Sequence, residues 1–317
     1  MVIINSNYTD QSTNDVIDWL IYNKVPFKRI NFQDKLILER LELTDVLSFT
    51  LRFVETGERL ESEEISFYWY RRGDLNISID KDTRIDHYLS GEEEKLKQLI
   101  HHFLTHRVPA IGSFYDNNIN KMIVLENATQ LGIKVPNTLI TPKKNALKSF
   151  IQREGRVITK AIDNTVNGTL TSLISSEQID ESNDDFFYSL FQSYTEKFVE
   201  LRIFFLKNRF WASAIFSQSD ERTSIDFRNY NYERPNRITP FSLPVDLERK
   251  LILLNKKVGL TSGSIDMIFT PEGDYVLLEI NPIGQFRNFS YFNNYHLEKE
   301  IADYIIKNRK INVTVQL

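Results

Sequence analysis

The sequence predicts an α/β protein in three consecutive parts, 1–117, 118–193 and 194–317, on three observations. Short apolar runs alternate with amphipathic stretches at the start, a smaller mixed unit follows, and long alternating runs dominate the end. Residues 2–5 form a buried-type strand, residues 14–23 a helix with Val16, Ile17 and Leu20 on one face, and residues 27–31 a second strand. Residues 65–70 are strand-like. Ser90 with Glu93 makes a capping-box pattern ahead of a helix that carries Leu96, Leu99, Ile100, Phe103 and Leu104 at helical spacing, and Pro109 closes this part. The middle part opens with a helix over 119–131, stopped by Gly132, and continues in an extended run, 133–140, broken by Pro136. A helix over 146–153 stopped by Gly155, a strand over 157–162 and a polar loop over 163–169, expected to be mobile, complete it. In the last part, 200–206, 210–216, 265–269 and 275–280 read as strands and 297–307 as a closing helix. There are no internal repeats and no low-complexity segments.

Composition narrows the function classes. With 39 basic and 43 acidic residues the net charge is −4, so no polycationic surface points to nucleic acid, and phosphate contacts must be local. The absence of cysteine excludes disulfides, thiolate catalysis and cysteine-ligated zinc, and fits a reducing compartment. The first residues lack the basic flank and apolar core of a signal peptide, and no apolar run approaches membrane-spanning length, so the cytoplasm is the expected location.

The most informative stretch is 264–282, where two apolar strands flank Pro271, Glu272, Gly273 and Asp274, a hairpin turn. If Thr270 faces Tyr275, then Asp266 lies opposite Glu279, and the two-residue period puts Asn281 on the same face as Glu279. Opposed like charges on a sheet cost up to ~1 kcal/mol, so the pair asks for a cation, and Mg2+ suits hard oxygen donors. The alternative is a surface hairpin with solvated acids, against which Ile265, Met267, Leu278 and Ile280 argue burial. Lys160, between Ile158 and Ile162, and Lys121, at a helix start, are point charges fit for phosphate, or else ordinary solvated lysines. Glu200 and Arg202 share a strand face, and Arg202 offers a planar donor fork, or else a cross-strand ion pair. Arg228, in the run 226–229, has the same two readings.

Other nucleotide and catalytic patterns fail. There is no P-loop and no Gly-x-Gly-x-x-Gly after a strand, and His102 and His106, four apart on a helix, lack the glutamate of a zincin. In the run 259–263 the serine stands one position late for a nucleophile elbow.

Taken in order, Asn120-Lys121, the run 132–138, Lys160, the run 192–196, Glu200-Leu201-Arg202, Asp266 and Glu279-Ile280-Asn281-Pro282 resemble the ATP-grasp enzymes over nearly the whole chain. The resemblance implies an α/β ATP-grasp fold with an N-terminal pre-ATP-grasp domain, a small central lid and a C-terminal antiparallel-sheet catalytic domain. It also implies that Lys121 and Lys160 bind ATP phosphates, that Gln192, Ser193, Tyr194 and Thr195 contact adenine, that Glu200 holds ribose, and that Asp266, Glu279 and Asn281 bind Mg2+. Within the family, Tyr68-Trp69-Tyr70-Arg71-Arg72-Gly73, the run 224–230 and Glu279-Ile280-Asn281-Pro282-Ile283-Gly284-Gln285-Phe286 are similar to the maturases of microviridin-like graspetides, the grasp-with-spasm group. That likeness implies a ligase that activates Asp or Glu side chains of a ribosomally made precursor peptide, leader plus core, and closes intramolecular esters or amides. Arg202 and Arg228 would be catalytic, Arg71, Arg72 and Asp226 would face the peptide, and a homodimer is expected. Two rivals are a ligase adding a free amino acid to a protein or metabolite, and a nucleotide-binding regulator without chemistry.

Overall fold

The computed structural model describes residues 1–77, 86–162, 170–229 and 231–310; the expected loop over 163–169 and Tyr230 lie outside the described residues. The chain forms two compact units, one of Met1–Asn118 with Gln285–Tyr291 and Tyr295–Leu317, the other of Ile119–Gly284 with Phe292–Asn294.

In the first unit, four parallel strands lie in the order Phe27–Asn31, Val2–Ser6, Phe67–Tyr70, Ala110–Ile111. Val2, Ile3 and Ile4 are all fully buried, as expected of a parallel strand covered on both faces. The helix Gln11–Tyr22 starts at Asp10, whose side chain accepts the Thr13 amide, and buries Val16 and Leu20, leaving Ile17 half-buried. A second sheet, ordered Arg59–Glu61, Leu47–Phe53, Lys35–Leu43, Asn76–Ile77, has no counterpart in the sequence reading. Its long strand carries Glu39, Arg40 and Glu42 among the apolar residues, which hides its alternation. The long helix spans Asp86–His106, so Ser90 and Glu93 lie inside it and are not its cap. The closing helix Leu297–Asn308, expected with the last part, packs instead on Gln11–Tyr22 and Phe67–Tyr70 of the first unit, because its stripe of Leu297, Ile301, Ala302 and Ile305 is fully apolar and needs that cover.

The second unit holds two antiparallel sheets. The smaller orders its strands Ser172–Leu173, Val157–Lys160, Asp185–Ser193, Thr138–Lys143. The helix Lys144–Glu154 seals one face through Leu147 and Phe150 and ends at Gly155, whose φ of 77° is the left-handed turn that glycine permits. The larger sheet orders its strands Arg237–Phe241, Arg209–Phe216, Val199–Leu206, Ser262–Phe269, Tyr275–Asn281. Its inner face, with Leu201, Ile203, Ile265, Met267 and Leu277, packs on the helices Lys121–Gln130 and Val245–Lys257. The opposite face is left to the polar residues that form the site. No helix among the described residues is long and apolar enough to cross a membrane.

Candidate active site

The acidic hairpin pairs Asp266 with Glu279 as counted from the sequence, but by another route. At the turn Phe269, not Thr270, faces Tyr275, an offset of one that by itself would carry Leu278 to Asp266. A β-bulge between Asp266 and Met267, opposite which Leu278 is the extra residue, restores the register. It also explains why Leu277, rather than the expected Leu278, is the fully buried residue there.

Asn281 donates Nδ2 to Asp266 Oδ2 at 3.2 Å and to Glu279 Oε1 at 3.0 Å, so the three expected oxygen-bearing side chains converge. Two glycines let them. A Cβ on Gly284 would overlap the Ser264 side chain, and one on Gly263 would come 2.8 Å from the Asn281 carbonyl. Both close approaches bring the strand end bearing Asn281 against its neighbour.

Cations surround this cluster. Arg202 sits opposite Asp266 on the adjacent strand, its Nη1 2.7 and 2.6 Å from the two carboxylate oxygens. Lys121 lies 2.9 Å from Glu279 Oε2, at the start of a helix capped by Asn120. Burial raises the Asp266 pKa even against Arg202. For Glu279 burial also pushes upward, but Lys121, Asn281 and Lys160 overcome it and bring the carboxyl down to about 2. Lys160, on the same strand face as Ile158, is held at about 8, first by burial and then by the charge of Lys121, with Glu279 and Asp266 opposing. Arg228 acts on the same groups from the loop after Glu221–Ser224, its fork bonded to Asp226 by Nε at 2.9 Å and Nη2 at 2.6 Å. Lys121, Lys160, Arg202 and Arg228 thus stand against Asp226, Asp266 and Glu279, an excess of positive charge. Arg202 Nε is buried with no acceptor among the described residues. An anionic ligand with a hard cation fits this donor set.

Not every expected residue presents itself to a ligand. Gln192 is fully buried and donates Nε2 to Thr138 Oγ1 at 2.9 Å, while its Oε1 has no partner. Ser193 Oγ accepts the Asn137 amide at 3.0 Å, the Arg156 guanidinium stacks 3.8 Å above the Tyr194 ring, and Thr195 is half-buried. Glu200 Oε1 is taken by Lys197 at 2.7 Å and Ser217 at 2.9 Å, and burial raises its pKa. Asp226, expected to face a peptide, is buried and accepts both the Arg228 fork and the Thr171 amide at 3.0 Å, so it positions Arg228 and ties the segment at Thr171 to that loop. Arg71, also expected to face a peptide, is 5% exposed and stacks on Phe286 within the first unit; Arg72 lies beside it, and both guanidiniums approach Asp10. His106 Nδ1 lies 3.0 Å from the His102 carbonyl, and no cluster of three His, Cys, Asp or Glu able to hold a metal occurs among the described residues.

Sequence reasoning missed Lys197. It is buried, and its ammonium joins Glu200 to the Ile225 carbonyl at 2.9 Å, fixing the loop that carries Asp226 and Arg228. A lysine three residues before a glutamate beside a strand was the available signal, and it is a weak one.

No family model matches the chain. The chain is 21% identical over 252 residues to the alpha-aminoadipate–LysW ligase LysX of Sulfurisphaera tokodaii, covering 76% of this chain and 85% of that protein. Among solved structures it is similar to the macrocyclase MdnC of Microcystis aeruginosa, bound there to precursor peptide MdnA, with a TM-score of 0.77, 25% identity, and 97% and 99% of the two chains covered. It is similar too to a RiPP-associated ATP-grasp ligase of Chryseobacterium gregarium, in complex with ADP and a leader and core peptide. There the TM-score is 0.78, the identity 24%, and 96% of each chain is covered.

Proposed function

We propose that this chain, an ATP-grasp ligase by its fold and its relatives, activates carboxyl side chains of a ribosomally made precursor peptide and closes them into intramolecular esters or amides. The observation that carries the reading is the bulged hairpin, which places Asp266, Glu279 and Asn281 together under Lys121, Lys160 and Arg202. ATP and Mg2+ fit there. Mg2+, held by Asp266, Glu279 and Asn281, would neutralise phosphate oxygens. Lys121 and Lys160 would hold the polyphosphate, and Ser193, Tyr194 and Thr195 would border the base, with Glu200 towards the sugar and the buried Gln192 serving the strand through Thr138.

In the first step a peptide carboxylate oxygen attacks the γ-phosphorus and ADP leaves. In the second, a hydroxyl or amine of the same peptide attacks the activated carbonyl, phosphate leaves and the attacking group loses its proton. Little covalent work falls to the protein, because phosphoryl transfer needs aligned reactants and neutralised charge. Arg202, fixed by its strand and by Asp266, meets the transferring group; Arg228, splinted by Asp226, steadies the carboxylate or its activated form. The tie between Asp226 and Thr171 holds the lid segment against the same loop, which excludes water from a hydrolysable intermediate. Arg72 faces the peptide, and Arg71, being buried, supports it. We further propose a cytoplasmic homodimer.

The test is co-expression with a peptide encoded by a neighbouring reading frame, read by mass spectrometry. Each ring lowers the peptide mass by one water and consumes one ATP. A gain of one residue mass would establish the free-amino-acid ligase instead, and bound ATP without peptide-stimulated ADP release would establish the regulator.

A further inference from the structure

A polar cavity of about 280 Å3 lies wholly within the first unit, where the start of the helix Gln11–Tyr22 meets the segment after Gly284. Its donors are Arg72, Arg287, Gln285, Asn288 and Ser12, and Phe289 supplies an apolar wall. Its charged lining residues are two guanidiniums, Arg72 and Arg287, and one carboxylate, Asp10, which Arg71 and Arg72 both approach, while Arg287 also lies 2.6 Å from Asp15. Asp10 Oδ1 is engaged as well, by the Thr13 amide at 3.0 Å. The cavity is therefore rich in hydrogen-bond donors, carries one surplus positive charge, and receives further positive potential from the helix start. Its volume admits a carboxylate side chain together with the peptide backbone on either side of it.

We propose that this cavity binds a carboxylate side chain of an acidic peptide, with Arg72 and Arg287 as the paired donors. The flanking amides of Gln285 and Asn288 accept and donate along the peptide backbone, and Phe289 packs on the side-chain methylenes. A planar carboxylate matches the guanidinium fork, and the methylene wall favours a glutamate chain over a bare inorganic anion. The peptide assignment rests on the ligase reading above; the carboxylate site does not.

The experiment titrates the full chain with a blocked glutamate hexapeptide, its glutamine counterpart and inorganic phosphate. The readout is the Nε–H nuclear magnetic resonances of Arg72 and Arg287, identified through Arg72→Lys and Arg287→Lys. Both resonances should shift saturably with the glutamate peptide alone, and Arg287→Met should weaken its binding by about tenfold, the scale of one charged hydrogen bond. No shift, an equal response to the glutamine peptide, or a response to phosphate without one to glutamate would overturn the site. ADP formation with a precursor peptide, measured on the same samples, separates the two readings. Shifts without ADP formation leave the site and remove the ligase; ADP formation without shifts does the reverse.

Discussion

Lys160 carries its charge against both burial and the neighbouring Lys121. Its pKa of about 8, against an ordinary 10.5, means that the ammonium is a cost to the folded chain, fully present below about pH 8 and relieved as the pH rises towards 10.5. Nucleotide phosphates bound as proposed would supply the missing countercharge and raise that pKa. Nucleotide binding should therefore take up a proton near pH 8.5, a stoichiometry read by calorimetry in buffers of different ionisation enthalpy, at about that pH. Lys160→Met should abolish the uptake; an unchanged stoichiometry in the variant would remove Lys160 from the phosphate site. Arg202 permits a different prediction, because its partner Asp266 holds it beside the acidic cluster proposed as the reaction site. Arg202→Ala should lower kcat by roughly two orders or more while changing the ATP Kd by less than about tenfold. Equal losses in both would mean that Arg202 serves binding alone.

At the scale of the element, the hairpin decides whether the site exists. A regular ladder running back from the turn would have set Leu278 opposite Asp266, and one extra residue corrects it. The strand end then has to lie close to its neighbour, which Gly263 and Gly284 allow. Gly284→Ala has no room beside Ser264 and should cost about 1–3 kcal/mol in denaturant unfolding, the usual range for overpacking. Because the Gly284 amide donates to the Asn281 carbonyl, the same change should weaken Mg2+-dependent nucleotide binding beyond what the stability loss explains. Retained nucleotide affinity in a folded variant would show that the position of Asn281 does not matter. The smaller sheet of the second unit depends on one further link between elements, the Thr171 amide on Asp226, which joins its edge to the loop carrying Arg228 at a buried carboxylate.

At the scale of the molecule, the chain does not run unit by unit. The segment after Gly284 returns to the first unit, so the run 279–286 spans both: Asn281 serves the acidic cluster, while Gln285 lines the cavity beside Arg72. The proposed chemistry and the proposed carboxylate site are therefore encoded four residues apart.

The sequence by itself determined the main periodic strands and helices and the acid–acid–amide set, because each follows from local periodicity or from a turn a few residues away, whereas the basic residues joined that set only through the family resemblance. Even there it reached the right pairing through a wrong turn register. Tertiary structure alone decided the bulge, the burial of Lys197 and Arg71, the use of Asp226 as a splint, and the return of the closing helix to the first unit. Those features depend on contacts between residues distant in the chain, where side-chain volume and the need to satisfy buried charge select the outcome and no short-range pattern records it.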